Sequence, residues 1–92
     1  MAEPQRYQRK PGVSETELDG EIFLVQPDDG EVFYLDAMGA GLWRLIAVPQ
    51  SFDEAVTVFR NAFPDIDSER VESDLKSALQ ILLDRGLVEE VS

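Results

Sequence analysis

The chain contains no cysteine and no histidine. Without cysteine there are no disulfides and no thiolate metal sites, and a reducing cytoplasm is the expected location. Without histidine the commonest general base and the commonest metal ligand are both missing. No apolar run approaches the roughly 18 residues needed to span a bilayer. The N-terminal stretch MAEPQRYQRKPG lacks the apolar centre of a signal peptide, so a soluble, unprocessed protein with no membrane partner is expected. Basic residues are also scarce, eight against 19 acids for a net charge of −11. Three of the eight, Arg6, Arg9 and Lys10, fall in the first twelve positions, and from Val13 onward only Arg44, Arg60, Arg70, Lys76 and Arg85 face 18 acids. Such a surface repels phosphate backbones, whose neutralisation supplies most non-specific nucleic-acid affinity, so nucleic acid is not an expected partner. A basic or neutral partner suits it, with a plain solubility surface as the alternative.

What is present is one domain's worth of apolar mass. Ninety-two residues at 43% apolar content exceed the ~70–80 residues below which a core usually needs staples. Residues 1–12 hold two prolines and three basic groups with Tyr7 as the one anchor, which predicts a flexible tail; a basic arm folded back onto the acidic body is the alternative. The folded domain is expected over 13–92.

The organising stretch is EIFLVQPDDGEVFYL, Glu21 to Leu35. It reads as two strands, Glu21–Gln26 and Glu31–Leu35, around Pro27-Asp28-Asp29-Gly30, where Pro27 pre-sets a turn dihedral and Gly30 takes positive φ freely. A four-residue loop places Gln26 opposite Glu31, Val25 opposite Val32, Leu24 opposite Phe33, Phe23 opposite Tyr34 and Ile22 opposite Leu35. Both faces are then apolar: Ile22, Leu24, Phe33 and Leu35 on one, Phe23, Val25, Val32 and Tyr34 on the other. A hairpin with one wet side should alternate, so a cover over the second face is expected. Val13–Leu18 is a third strand, joined through an Asp19-Gly20 turn and placed beside Glu21–Gln26. This order leaves Glu31–Leu35 at an edge with no lysine, no proline and one charge, Glu31, to discourage pairing.

After Leu35 the period changes to about 3.6. Asp36 can cap a helix over Ala37–Ala47 with Met38, Leu42, Leu45 and Ile46 on one face, and Trp43 off that stripe reads as a plug between elements. Gly39 and Gly41 weaken this helix and are expected where a neighbouring element approaches closely. Ser51-Phe52-Asp53-Glu54 is a capping-box sequence opening a second helix that Pro64 ends after Phe63. Asp67 caps a third, running to Arg85, with Val71, Leu75, Ala78, Leu79 and Leu82 on one face and Ile81 and Leu83 widening the arc; Gly86 stops it. Leu87-Val88 then tucks beneath or forms a terminal strand. The fold class is α+β: a three-stranded antiparallel sheet followed by three helices, winged helix-turn-helix-like.

Little of this carries reaction chemistry. The acid pairs Asp28/Asp29, Glu89/Glu90 and Asp65/Glu69 fall in a turn, a terminal segment and a helix start, where turn geometry and the helix dipole account for them. DDGE lacks the ligand spacing of a calcium loop, and there is no P-loop, dinucleotide fingerprint, nucleophile elbow or zinc spacing. No enzyme activity, no cofactor and no metal are expected.

The segment VFYLDAMGAGLWRLI, with Leu35, Asp36, Gly39-Ala40 and Leu42-Trp43, resembles the strand-then-helix signature of the coenzyme PQQ synthesis protein D family. Val71, Asp74, Leu75, Leu79, Leu82 and Gly86-Leu87 are similar to that family's third helix and its Gly-Leu ending, and the resemblance spans Val13 to Val88. It implies a recognition element for ribosomally made, post-translationally modified peptides (RiPPs). Such a domain holds the leader segment of a precursor peptide as an added strand between the third strand and the third helix. It presents that leader to a separate maturation enzyme, a leader protease or a radical SAM enzyme. The Met38-Gly39-Ala40-Gly41-Leu42-Trp43 run is closer to the partner proteins of lasso-peptide maturation than to PQQ assembly. Asp36 stands where the family often has Asn, which keeps the cap and adds negative charge.

The resemblance and the unblocked edge imply one contact set for strand addition: Glu31, Val32, Phe33 and Tyr34 on the strand, and Val71, Asp74, Leu75 and Ala78 on the helix. Asp74 would meet a basic or hydroxyl-bearing leader residue. Two other classes stand beside this one. A winged-helix regulator would need a basic recognition helix, and residues 68–85 carry three bases against four acids. A dimerising structural module would pair two copies as a homodimer through the same edge strand.

Overall fold

The Glu21–Leu35 hairpin forms in the register its pattern predicts, with Ile22 opposite Leu35, Phe23 opposite Tyr34, Leu24 opposite Phe33 and Val25 opposite Val32. The Gln26 N–H donates to the Glu31 carbonyl at 2.9 Å and the Gly30 N–H to the Gln26 carbonyl at 3.0 Å, with Gly30 at φ 71°. The structure is a computed structural model that describes residues 5–28 and 30–91. Its elements in chain order are β1 (Arg6–Arg9), β2 (Ser14–Leu18), β3 (Glu21–Val25), β4 (Val32–Leu35), α1 (Ala37–Leu45), β5 (Gln50–Ser51), α2 (Phe52–Ala62), α3 (Ser68–Asp84) and β6 (Val88–Val91). They build two antiparallel three-stranded sheets, β2-β3-β4 and β5-β1-β6. The α+β class and the strand order of the main sheet are as expected; the second sheet is additional.

The turns and caps follow from single residues. Asp19 and Gly20 both take positive φ, 53° and 84°, the pair of left-handed residues that a two-residue hairpin turn requires between Leu18 and Glu21. The Asp36 side chain accepts from the Gly39 N–H at 2.8 Å and opens α1. Ser51, buried, accepts from the Glu54 N–H at 3.1 Å and opens α2. Asp67 accepts from the Glu69 N–H at 3.0 Å and opens α3. At its far end Gly86, φ 71°, lets the Leu87 N–H reach the Leu82 carbonyl and the Gly86 N–H reach the Leu83 carbonyl, the paired bonds of a Schellman stop. The three helices end one or two residues before the expected positions, where capping replaces helical bonding.

Between the main sheet and the helices lies one core. Ile22, Leu24 and Leu35 meet Leu42, Trp43 and Ile46 of the α1 segment, Val56 and Phe59 of α2, and Val71, Leu75 and Leu82 of α3. Each such side chain contributes about 1.5–3 kcal/mol by leaving water. Trp43 is the plug its position suggests: its Nε1–H donates to Glu15 at 2.7 Å. Gly41 sits where α2 comes closest, since a Cβ there would lie 3.0 Å from the Phe59 ring. Gly39 instead faces Leu35 and Asp36 at its own strand-helix junction.

Two expectations are corrected. The segment read as a flexible tail contains β1, the middle strand of the second sheet, with Tyr7 opposite Gln50 and Glu90; residues 1–4 lie outside the described residues. The reason is charge: Arg6 pairs with Glu54 at 3.1 Å, Arg9 with Glu15 at 3.3 Å and Lys10 with Asp28 at 3.8 Å, while Gln8 donates to Glu89. Arg9 adds a stack over Trp43 and a bond to the Trp43 carbonyl at 2.9 Å. The second correction concerns the outer face of the hairpin. Among the described residues no element covers it, and Val32 and Tyr34 remain 61% and 49% exposed because the described helices pack on the opposite face.

Candidate functional site

β4 is the last strand of its sheet, so one side of its backbone has no strand partner among the described residues. Antiparallel ladders alternate bonded and non-bonded pairs. The bond from the Gln26 N–H to the Glu31 carbonyl sets the phase: Phe33 and Leu35 turn their main-chain groups toward β3, and Val32 and Tyr34 turn theirs outward. Two N–H and two C=O groups therefore line an open edge.

Beside that edge runs a cavity of about 530 Å³. Phe33, Tyr34, Leu35, Asp36, Met38 and Gly39 form one wall, and Asp74, Ser77, Ala78, Ile81 and Leu82 of α3 form the other. Arg85 pairs with Glu31 at 2.9 Å, lies over the Phe33 ring at 5.6 Å, and has its carbonyl bonded by the Gln26 side chain, so the turn end of the hairpin is tied to the end of α3. Two carboxylates, Asp36 and Asp74, stand in the walls of the trough, and the Asp74 side chain, half exposed, pairs with Arg70, one helical turn back, at 3.7 Å. Tyr34 has its phenol pKa raised above the usual value by desolvation first, then by Glu21, which also accepts its hydrogen bond, and by Asp36. The phenol therefore stays neutral.

Of the residues named from sequence, Phe33, Tyr34, Asp74 and Ala78 line the trough; Glu31 closes its end through Arg85, and Val32 supplies the outward main chain. Val71 and Leu75 do not reach it. Both are 0% exposed in the core, because α3 carries two adjacent stripes, a core stripe at 71, 75, 79 and 82 and a groove stripe at 74, 77, 78 and 81. Leu35, Asp36, Met38, Gly39, Ser77, Ile81 and Leu82 also line the trough and are not in the contact set named from sequence. The signal for Ile81 was its place outside the main stripe, and at 47% exposure it is a large apolar residue left facing the trough.

Elsewhere a hollow of about 380 Å³ between α1 and α2 involves Leu45, Val58 and Phe63 but adjoins no strand edge. Among the described residues no three acidic side chains converge as a metal site would require, and no helix is long and apolar enough to cross a membrane.

The family model for coenzyme PQQ synthesis protein D matches residues 21–88, which include β3, β4, all three helices and every wall of the trough. The chain belongs to that family. Among solved structures it resembles TbiB1 in complex with the TbiA(beta) leader peptide, with a TM-score of 0.79 and 28% identity over 89% of this chain and 94% of that one. No curated protein matches it in sequence. The family match and the structural likeness cover the same ground as the edge strand and trough, and the likeness extends over nearly the whole domain.

Proposed function

We propose that this protein binds the leader segment of a ribosomally synthesised precursor peptide and presents it to a separate maturation enzyme in peptide natural-product biosynthesis. The leader adds to β4 as a fourth strand. The observation that carries this reading is the outward main chain of Val32 and Tyr34 beside a trough walled by α3. Main-chain bonds then give affinity, and pockets for alternate side chains give specificity. Family membership supports it, as does the likeness to TbiB1, a protein solved with a leader peptide. The Met38-Gly39-Ala40-Gly41-Leu42-Trp43 run, which resembles the partner proteins of lasso-peptide maturation, favours a lasso-type pathway, in which the enzyme is a leader protease, over one using a radical SAM enzyme. The protein is a binding module, and bond making and breaking belong to the enzyme.

The contact set consists of Val32, Phe33, Tyr34, Asp74 and Ala78 together with Met38, Ser77 and Ile81, with Glu31 acting through Arg85. Val71 and Leu75 support it from the core. Titrating ¹⁵N-labelled protein with synthetic leaders of precursor peptides encoded beside its gene tests the reading. Amide shifts should concentrate at residues 31–36 and 74–82; saturable shifts confined to β2, β6 or the α1-α2 hollow would refute docking on β4. Adding the leader protease to precursor, with and without this protein, tests presentation: cleavage should accelerate only when the protein is present.

The same bare edge also suits a symmetric dimer through two β4 strands. Light scattering separates the two, since a leader that shares the edge converts dimer to monomeric complex.

A further inference from the structure

The two walls of the trough belong to different elements, β4 with the start of α1 and α3, and a guest strand has to fit both at once. We infer that Arg85 is a positioning residue for leader binding: through Glu31 and Phe33 it holds the hairpin at a fixed separation from α3, so that the trough has its working width before the peptide arrives. This rests on the leader-binding reading above and names a residue that acts on that site without touching the guest.

The fit is demanding. An added strand lies about 4.8 Å from its neighbour, and its side chains must at the same time meet the facing helix. A hairpin free to swing at its turn end would have to be ordered at each binding event, and that ordering is subtracted from affinity. Among the described residues, the hydrogen bonds that join the hairpin to the α3 segment both use Arg85. Its guanidinium donates to Glu31 at 2.9 Å, and its carbonyl accepts from the Gln26 side-chain amide. The guanidinium also lies 5.6 Å from the centre of the Phe33 ring, part of the trough wall. Glu31 and Phe33 flank Val32, whose main chain faces the open edge. Gly86 leaves room for this contact as well as ending α3: a Cβ there would lie 3.4 Å from the Gln26 amide nitrogen.

A second restraint on the turn is weaker. Lys10 reaches Asp28 across 3.8 Å, and the Asp28 side chain is 82% exposed, so that pair contributes little. The Arg85–Glu31 pair is itself half exposed, and alone it does not hold the fold together. Its effect comes from convergence. A charged pair, a ring face and a main-chain acceptor at one point on α3 restrain three residues of one hairpin, Gln26, Glu31 and Phe33. Loss of the Arg85 side chain should therefore show in leader affinity while the domain stays folded.

The test combines anisotropy of a fluorescein-labelled synthetic leader that saturates in the titration above with amide hydrogen exchange of the free and bound protein. Arg85→Ala should weaken binding about fivefold, and Arg85→Lys, which keeps the charge but loses the planar face, about twofold. Glu31→Arg should weaken it about tenfold by repelling Arg85, and adding Arg85→Glu should return it to within about threefold of wild type. Direct contact of either residue with the peptide would not permit that rescue. In free Arg85→Ala the Gln26 and Gly30 amides, which close the hairpin turn, should exchange about threefold faster, the amides of α2 should not change, and saturating leader should restore the turn. Lys10→Ala should bind within about 1.5-fold of wild type. Arg85→Ala that binds like wild type overturns the inference, as does a reversed pair that stays as weak as Glu31→Arg or an equal loss in Lys10→Ala. In each of those cases amide shifts along β4 leave strand addition intact. A wild-type protein that binds no leader overturns both.

Discussion

In the sheet β5-β1-β6 the outer strands are a two-residue piece, Gln50–Ser51, and a strand bearing Glu89 and Glu90; in β2-β3-β4 one outer strand carries Glu15 and Glu17 and the other reads Val-Phe-Tyr-Leu. Short length and charge are the usual means of stopping an edge from recruiting another strand. Three of these four edges use one or the other, and β4 uses neither. The second sheet is instead stitched shut: Arg6, Arg9 and Gln8 of β1 reach Glu54, Glu15 and Glu89. One sheet is thus a clasp that closes the N-terminal segment onto the body, and the other is a platform with a vacancy in its ladder. The difference teaches that the availability of β4 is a local property of its sequence, since a neighbouring sheet of equal strand number, in the same acidic chain, is protected.

The largest disruption expected is one that removes the post both sheets lean on. Trp43 is bonded by Glu15 of β2 and stacked by Arg9 of β1. Trp43→Ala should lower stability by about 3–5 kcal/mol, measured by urea denaturation, which is a large share of the ~5–15 kcal/mol typical of a domain. Next comes the platform alone. Val32→Pro removes an outward N–H that bonds nothing among the described residues and places a ring on the edge, so leader affinity should fall about 30-fold or more, roughly 2 kcal/mol, with little change in the melting temperature. Val32→Lys keeps that N–H and should bind within about threefold of wild type, because strand addition reads the main chain. If the proline variant folds and binds normally, β4 is not the docking edge.

The clasp should respond in the opposite sense. Arg9→Ala loses the bond to the Trp43 carbonyl, the stack and the pair with Glu15, and should cost about 1–2 kcal/mol of stability while leader affinity stays unchanged. A parallel loss of affinity would mean the two sheets are coupled. The smallest effect is confined to alkaline pH. Tyr34 has its phenol pKa raised in the folded state by desolvation and by Glu21 and Asp36, so the folded chain keeps this proton above the pH at which the unfolded chain releases it. Its contribution is therefore fully present below the ordinary tyrosine value near 10 and is lost as pH rises beyond it. The denaturation midpoint of wild type should fall more steeply than that of Tyr34→Phe between about pH 9 and 11, and the two should run parallel below about pH 9.

The hairpin register was legible because side chains alternate with a period of two and the loop length fixes the phase. The caps at Asp36, Ser51 and Asp67 and the stop at Gly86 were legible because each needs one residue type at one position. The strand β1 was not. Its four residues, RYQR, carry one apolar side chain, and its partner Glu90 lies more than eighty positions away. The trace it left was the concentration of basic residues ahead of an acidic body. On α3 the apolar arc was legible in width but not in use: Val71 and Leu75 belong to the core while Ala78 and Ile81 face the trough. The expected cover over Phe23, Val25, Val32 and Tyr34 failed for a related reason. An apolar pattern states a preference for burial, and the chain has too few helices to satisfy both faces.

Taken by itself, the amino-acid order determined the strands of the main sheet, the three helices with their caps and stops, and that one edge strand lacks every common block. Those are short-range matters, settled by side-chain period, turn dihedrals and capping within a few residues. Only the tertiary structure decided which of two neighbouring stripes on α3 faces the core, that the basic arm becomes a middle strand, that Asp36 and Asp74 line one trough, and that Arg85 reaches Glu31. Each of these depends on contacts between residues tens of positions apart, and a local pattern carries no information about which distant surface will arrive.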